Sequence, residues 1–152
     1  MTVEILDETG RFRRREPVRR ALAALGAELG AAGREVTIVL VNDETIAAMN
    51  AAHRGVDGPT DVLSYPLHEP DDVGMPAVTA LGDVVISLDT AARQARDHGH
   101  APWREVLVLA AHGLMHLLGF DHPDRATWAR FEAAQARALE LAVDPVAPEA
   151  QA

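Results

Sequence analysis

Apolar residues along this 152-residue chain follow two rhythms, the two-residue alternation of strands and the three-to-four-residue spacing of helices. Val3 to Leu6 reads as a short strand, and Val36 to Val41, V-T-I-V-L-V, is β-branched and almost continuously apolar, as in a buried strand. V-L-S-Y from Val62 and L-G-D-V-V-I-S from Leu81 supply two more. Helical spacing runs from Pro17 to about Ala32, from Asn42 or Asp43 to about Ala52, and from Ser87 or Asp89 to about Asp97. Each of the last two opens on a residue whose side chain can accept a first-turn N–H. Trp103 to Leu118 is apolar on nearly every face, which predicts a central buried helix. A last amphipathic helix is expected from about Asp124 to Ala142, with residues 144–152 a frayed tail. Residues 53–61 and 66–80 carry glycine and proline without periodicity and read as loops. Mixed strands and helices with no repeat and no linker predict one α+β domain over residues 1–152, a small mixed sheet of about four strands with about five helices.

The buried helix changes what its histidines mean. His112, His116 and His122 lie in H-G-L-M-H-L-L-G-F-D-H. Residues four apart share a helix face, so His112 and His116 can aim at one point. Gly119 offers a left-handed helix end from which the chain can bring His122 to the same point. Buried imidazoles without partners cost on the order of 1 to 3 kcal/mol each, so they need partners. Three nitrogen ligands leave a tetrahedral ion one open position, the mark of a catalytic zinc site. Nickel, copper and iron also accept imidazole, with zinc the leading choice. His53, His68, His98 and His100 have no spacing partner and are expected at the surface.

Composition narrows the setting. The chain has no cysteine, which excludes disulfides and thiolate metal sites. No leader-like segment and no run of roughly 18 apolar residues is present, so a cytoplasmic protein without a membrane span is expected. The net charge of -9 hides a polarised distribution: residues 11–20 carry six arginines and one glutamate, +5, leaving -14 elsewhere. Such a stretch is either a solvated surface or a contact for polyanions.

The spacing H-x-x-x-H-x-x-G-x-x-H is shared with metzincin proteases, but position 113 is glycine where those enzymes use glutamate as general base. Peptide hydrolysis by that route is therefore not expected. Zinc itself lowers the pKa of water toward about 7, so hydrolysis of a bond that needs charge neutralisation, such as a phosphodiester, remains open.

H-G-L-M-H-L-L-G-F-D-H closely resembles the signature of the YbeY family of bacterial endoribonucleases, as do M-N-A-A-H-R-G-V-D-G-P-T-D-V-L-S-Y-P at 49–66 and L-G-D-V-V-I-S at 81–87. The resemblance implies a zinc-dependent, single-strand-specific endoribonuclease acting in small-subunit (16S) ribosomal RNA 3′ end maturation, rRNA processing and ribosome quality control. It implies one zinc per chain on His112, His116 and His122, with RNA, the ribosome or its small subunit, and assembly factors as partners. It also implies Arg54 as the essential arginine outside the metal motif, whose guanidinium can clamp phosphate oxygens. Asp61, Asp83 and Asp121 fall in or beside matching blocks and rank below Arg54: Asp61 as a turn cap, Asp83 as a brace for the loop or a histidine, Asp121 as a helix cap. The alternative is a non-catalytic ribosome-assembly or RNA-binding factor with a structural metal.

Overall fold

The computed structural model describes residues 1–67, 79–121 and 124–142. Along β1 (Thr2–Asp7), Val3 and Ile5 turn inward while Glu4 and Leu6 stay exposed. Helix α1 (Arg15–Glu28) carries Pro17 in its first turn, where a missing N–H costs little. It stops four residues short of the expected Ala32. Gly30 takes a left-handed φ of 84° and the Ala31 N–H donates to the Gly26 carbonyl, turning the chain off the helix axis. β2 (Glu35–Val41) follows, then α2 (Asp43–Arg54), capped by the Asn42 side chain on the Thr45 N–H. β3 (Val62–Pro66) and β4 (Ala80–Ser87) precede α3 (Leu88–His98), α4 (Pro102–Leu117) and α5 (Arg125–Leu141). The expected loop at 66–80 falls mostly outside the described residues, as does the 144–152 tail.

The sheet order is β1-β2-β4-β3, with the first three strands parallel and β3 antiparallel at the edge. Its strands alternate cleanly between two apolar layers. Val36, Ile38, Leu40, Val84 and Ile86 join the larger core with α1, α4 and α5, whereas Val41, Leu63 and Val85 pack with Ile46 and Met49 of α2. This is the mixed α and β domain expected, and α4 is its central helix. It packs against α1, α3, α5, β3 and β4, with Leu107, Ala110, Ala111 and Leu114 fully buried.

One glycine sets how closely α4 meets the sheet. A Cβ on Gly113 would lie 2.5 Å from Val84 Cγ1 and 3.2 Å from Ser64 Oγ, and the Ser64 hydroxyl donates to the Gly113 carbonyl at 3.3 Å. Position 113 therefore faces β4 and β3, where a side chain fits only if the Val84 side chain gives way. Among the described residues no helix is long and apolar enough to cross a membrane.

Candidate functional site

His112 and His116 are half-buried on the face of α4 turned toward β3 and α5. Their Nε2 atoms lie 3.2 Å apart. Two zinc bonds of roughly 2.0 to 2.1 Å at a tetrahedral angle set their nitrogens about 3.3 Å apart, so the pair fits a shared ion. Phe131 of α5 sits 4.9 Å from both rings and confines them. The Gln135 side-chain nitrogen lies 3.2 Å from His112 Nδ1. When Nε2 faces a metal, Nδ1 carries the proton and needs an acceptor, which the amide oxygen of Gln135 supplies once the amide is turned over.

Helix α4 ends as the sequence predicts. Gly119 adopts φ 96°, and its N–H and that of Phe120 donate to the His116 and Met115 carbonyls. Asp124 then opens α5 through a capping box with Thr127, accepting its N–H at 2.9 Å. The cap is Asp124, not Asp121. Asp121 instead lines the cleft beside His112 and His116. His122, the third expected ligand, lies outside the described residues.

That cleft, about 560 Å³, brings the pair together with Arg54, His53 and Asp61. Arg54 is the last residue of α2, which Gly55 ends in a left-handed turn. Its guanidinium makes no hydrogen bond or ion pair among the described residues, and its positive charge faces the cleft unspent. The buried side chain of Asn50 donates to the Gly58 carbonyl at 3.0 Å and ties down the loop that follows. Asp61, expected as a turn cap, accepts the Val62 N–H at 2.8 Å and the Gln94 amide at 3.1 Å, binding β3 to α3. Asp83 is exposed near Thr2, Glu4 and Thr37, on the opposite face from Val84, because strand residues alternate, and it bonds to no histidine among the described residues; the loop it was expected to brace lies largely outside them.

A second histidine group was missed by spacing alone. His98 closes α3 and His100 begins the turn to α4, where Gly99 at φ 72° bends the chain back. His98 Nδ1 lies 3.0 Å and His100 Nε2 2.5 Å from the same oxygen of Glu105, a carboxylate only 2% exposed. These two are thus not solitary surface residues. The Glu105 hydrogen bond holds the His98 pKa above its ordinary value. The three ligand atoms lie within 4.8 Å of one another and could hold a metal ion. As they stand they satisfy a buried carboxylate by hydrogen bonding, which a charge inside a helix bundle requires. The arginine stretch is partly neutralised locally, Arg11 by Asp89 and Arg19 and Arg20 by Glu16.

Comparison with known proteins follows the same outline. A Thermotoga maritima protein with a known solution structure shares the fold, with a TM-score of 0.64 and 23% identity over 97% of this chain and 100% of that one. A Thermus thermophilus protein named endoribonuclease YbeY is 50% identical over 124 residues, 82% of this chain and 88% of its own. One of the same name from Deinococcus radiodurans is 52% identical over 109 residues, 72% of this chain and 69% of its own. The family model described as endoribonuclease YbeY matches residues 5–142, and the chain therefore belongs to the YbeY family.

Proposed function

We propose that this chain is a zinc-dependent endoribonuclease that hydrolyses phosphodiester bonds in single-stranded RNA. The observation that carries this reading is the convergence of the His112 and His116 Nε2 atoms, 3.2 Å apart, on a cleft that also receives Arg54. The name of the relatives, endoribonuclease, supports the substrate class. His112, His116 and His122 are the ligands in this reading, with one ion per chain. Bound there, zinc supplies a Lewis acid and a water of lowered pKa.

The chain's own groups do the rest. Arg54 pairs with phosphate oxygens and offsets the charge that grows on them during cleavage. Phe131 and Gln135 hold His112 in orientation. The packing of Gly113 against Val84 leaves no room for a protease-like general base on α4 at that position. A phosphodiester with its negative charge matches a guanidinium and a cation better than a neutral peptide does. We place the activity in the cytoplasm, on 16S ribosomal RNA 3′ end maturation and ribosome quality control, with the small ribosomal subunit and its assembly factors as partners. That placement rests on the motif resemblance.

The test is cleavage of a single-stranded RNA containing the 16S 3′ region by zinc-replete protein. Wild type is compared with His112→Ala purified in parallel. Cutting by the wild type that His112→Ala loses is the expected result. Equal background from both preparations contradicts the reading, and a folded Arg54→Ala protein that fully supports ribosome maturation favours the non-catalytic assembly factor.

A further inference from the structure

A second cleft, about 400 Å³, opens on the other side of His112 and shares Asp61 and Val62 with the first. Its size falls within the roughly 300 to 1,000 Å³ of small-molecule sites. Its chemistry differs from its neighbour's. Where the first cleft has Arg54, this one has the carboxylates of Glu105 and Glu132 and the amides of Gln94 and Gln135, beside His98 and His112. A phosphate finds no arginine in such a lining and meets the unpaired Glu132 carboxylate instead. A flat, uncharged ligand that donates hydrogen bonds is welcomed by it.

Trp128 stands at this cleft, one turn before Phe131 on α5. It is 38% exposed and its ring lies nearly parallel to that of Phe131, at 10°, and 6.0 Å from His112. An exposed tryptophan beside hydrogen-bond acceptors is how proteins hold a base from a single strand, the ring taking the base face and the acceptors its edge. Glu132, four residues on from Trp128, has no hydrogen bond or ion pair among the described residues and is free to accept one.

We infer that this second cleft is a nucleobase pocket, with Trp128 as its stacking face and the Glu132 carboxylate reading a base that carries an amino group. The proposal rests on the RNase reading above. The two clefts then divide one substrate: Arg54 and the histidines face the backbone phosphate, and Trp128 takes the neighbouring base. A duplex keeps its base edges paired and its bases stacked, so it cannot offer one to this pocket, and single strands are selected. Adenine, guanine and cytosine carry amino donors that carboxylates accept, and uracil does not.

The chain has two tryptophans, and Trp103 is buried under Arg104, so a Trp103→Phe background leaves Trp128 as the sole reporter. Its emission is followed during titration with guanosine, uridine, inorganic phosphate and a short single-stranded 2′-O-methyl oligonucleotide, with oligonucleotide binding measured independently by anisotropy. Guanosine and the oligonucleotide should quench Trp128, uridine should act only at higher concentration, and phosphate should leave the emission unchanged. Trp128→Ala should weaken oligonucleotide binding roughly tenfold and raise KM more than it lowers kcat, while Trp128→Phe keeps most of the affinity. Unchanged emission, or a Trp128→Ala protein that binds the oligonucleotide as tightly as wild type, overturns the pocket and leaves the RNase reading standing. An oligonucleotide that does not bind the wild type at all sinks the RNase reading instead, and guanosine quenching then decides the pocket alone.

Discussion

His112 and His116 aim two ring nitrogens at each other across 3.2 Å, whereas His98 and His100 aim theirs at one oxygen of the buried Glu105. Both groups include a residue of α4, and both pair histidines a short distance apart in sequence. The difference lies in what each nitrogen faces. Around Glu105 the acceptor is already present, so both imidazoles have a hydrogen-bond partner within the fold. At His112 and His116 two ring nitrogens converge, an arrangement that a cation or a shared proton between them satisfies. Proximity of ligand-type residues therefore does not by itself distinguish a metal site from a buried hydrogen-bond network; metal binding has to be measured at each.

The sharpest way to break the comparison is to remove a member of the first group. His116→Ala should abolish stoichiometric zinc binding, a loss exceeding the roughly 10- to 100-fold that removal of a supporting residue causes, as read by metal analysis after dialysis. Arg54→Ala should lower RNA cleavage on the order of 100- to 1,000-fold with zinc content intact; loss of zinc as well would move Arg54 from the substrate to the support of the fold. In the second group, His100→Ala leaves Glu105 with one partner and should cost about 1 to 3 kcal/mol by denaturant unfolding, with zinc stoichiometry unchanged. Gly113→Ala falls within the first group's motif, on the side of α4 packed against the sheet. The crowding against Val84 should cost about 1 to 3 kcal/mol, against about 1 kcal/mol gained in helix propensity, for a modest net loss of stability.

The smallest effect is one of pH. The His98 pKa is raised by its hydrogen bond to Glu105, so its stabilisation is full below the ordinary histidine pKa and is lost as pH rises through the raised value. The side chain is 59% exposed, and solvent screening keeps the contribution small. His98→Asn should flatten the stability profile across that range, and an unchanged slope would show that the pair carries no charge.

Most of the fold could be read from the chain because each element has a clean period. V-T-I-V-L-V, the caps at Asn42 and Ser87, and the glycine that ends α4 all appear where the pattern places them. Strand order could not be read, since β4 inserts between β2 and β3 by a choice among apolar strands of similar composition. The early end of α1 escaped because Gly30 and Ala31 extend the helical spacing while the backbone turns away. At the site, the helical offset of four brought out His112 and His116, and the motif block brought out Arg54. His100 and Glu105 stayed hidden, as did Gln135 and Trp128, because α5 returns to α4 from far along the chain. No spacing rule connects Gln135 to His112 across 23 residues. Gly113 was legible as a missing base but not as a packing constraint, which only the contact with Val84 reveals.

The central claim is that the cation belongs to His112, His116 and His122 and not to the Glu105 network. Anomalous diffraction at the zinc edge on crystals of zinc-replete protein tests it most directly. The account predicts one strong peak bonded to His112 Nε2 and His116 Nε2 and none at Glu105. A peak bridging His98, His100 and Glu105, with none between His112 and His116, would contradict it.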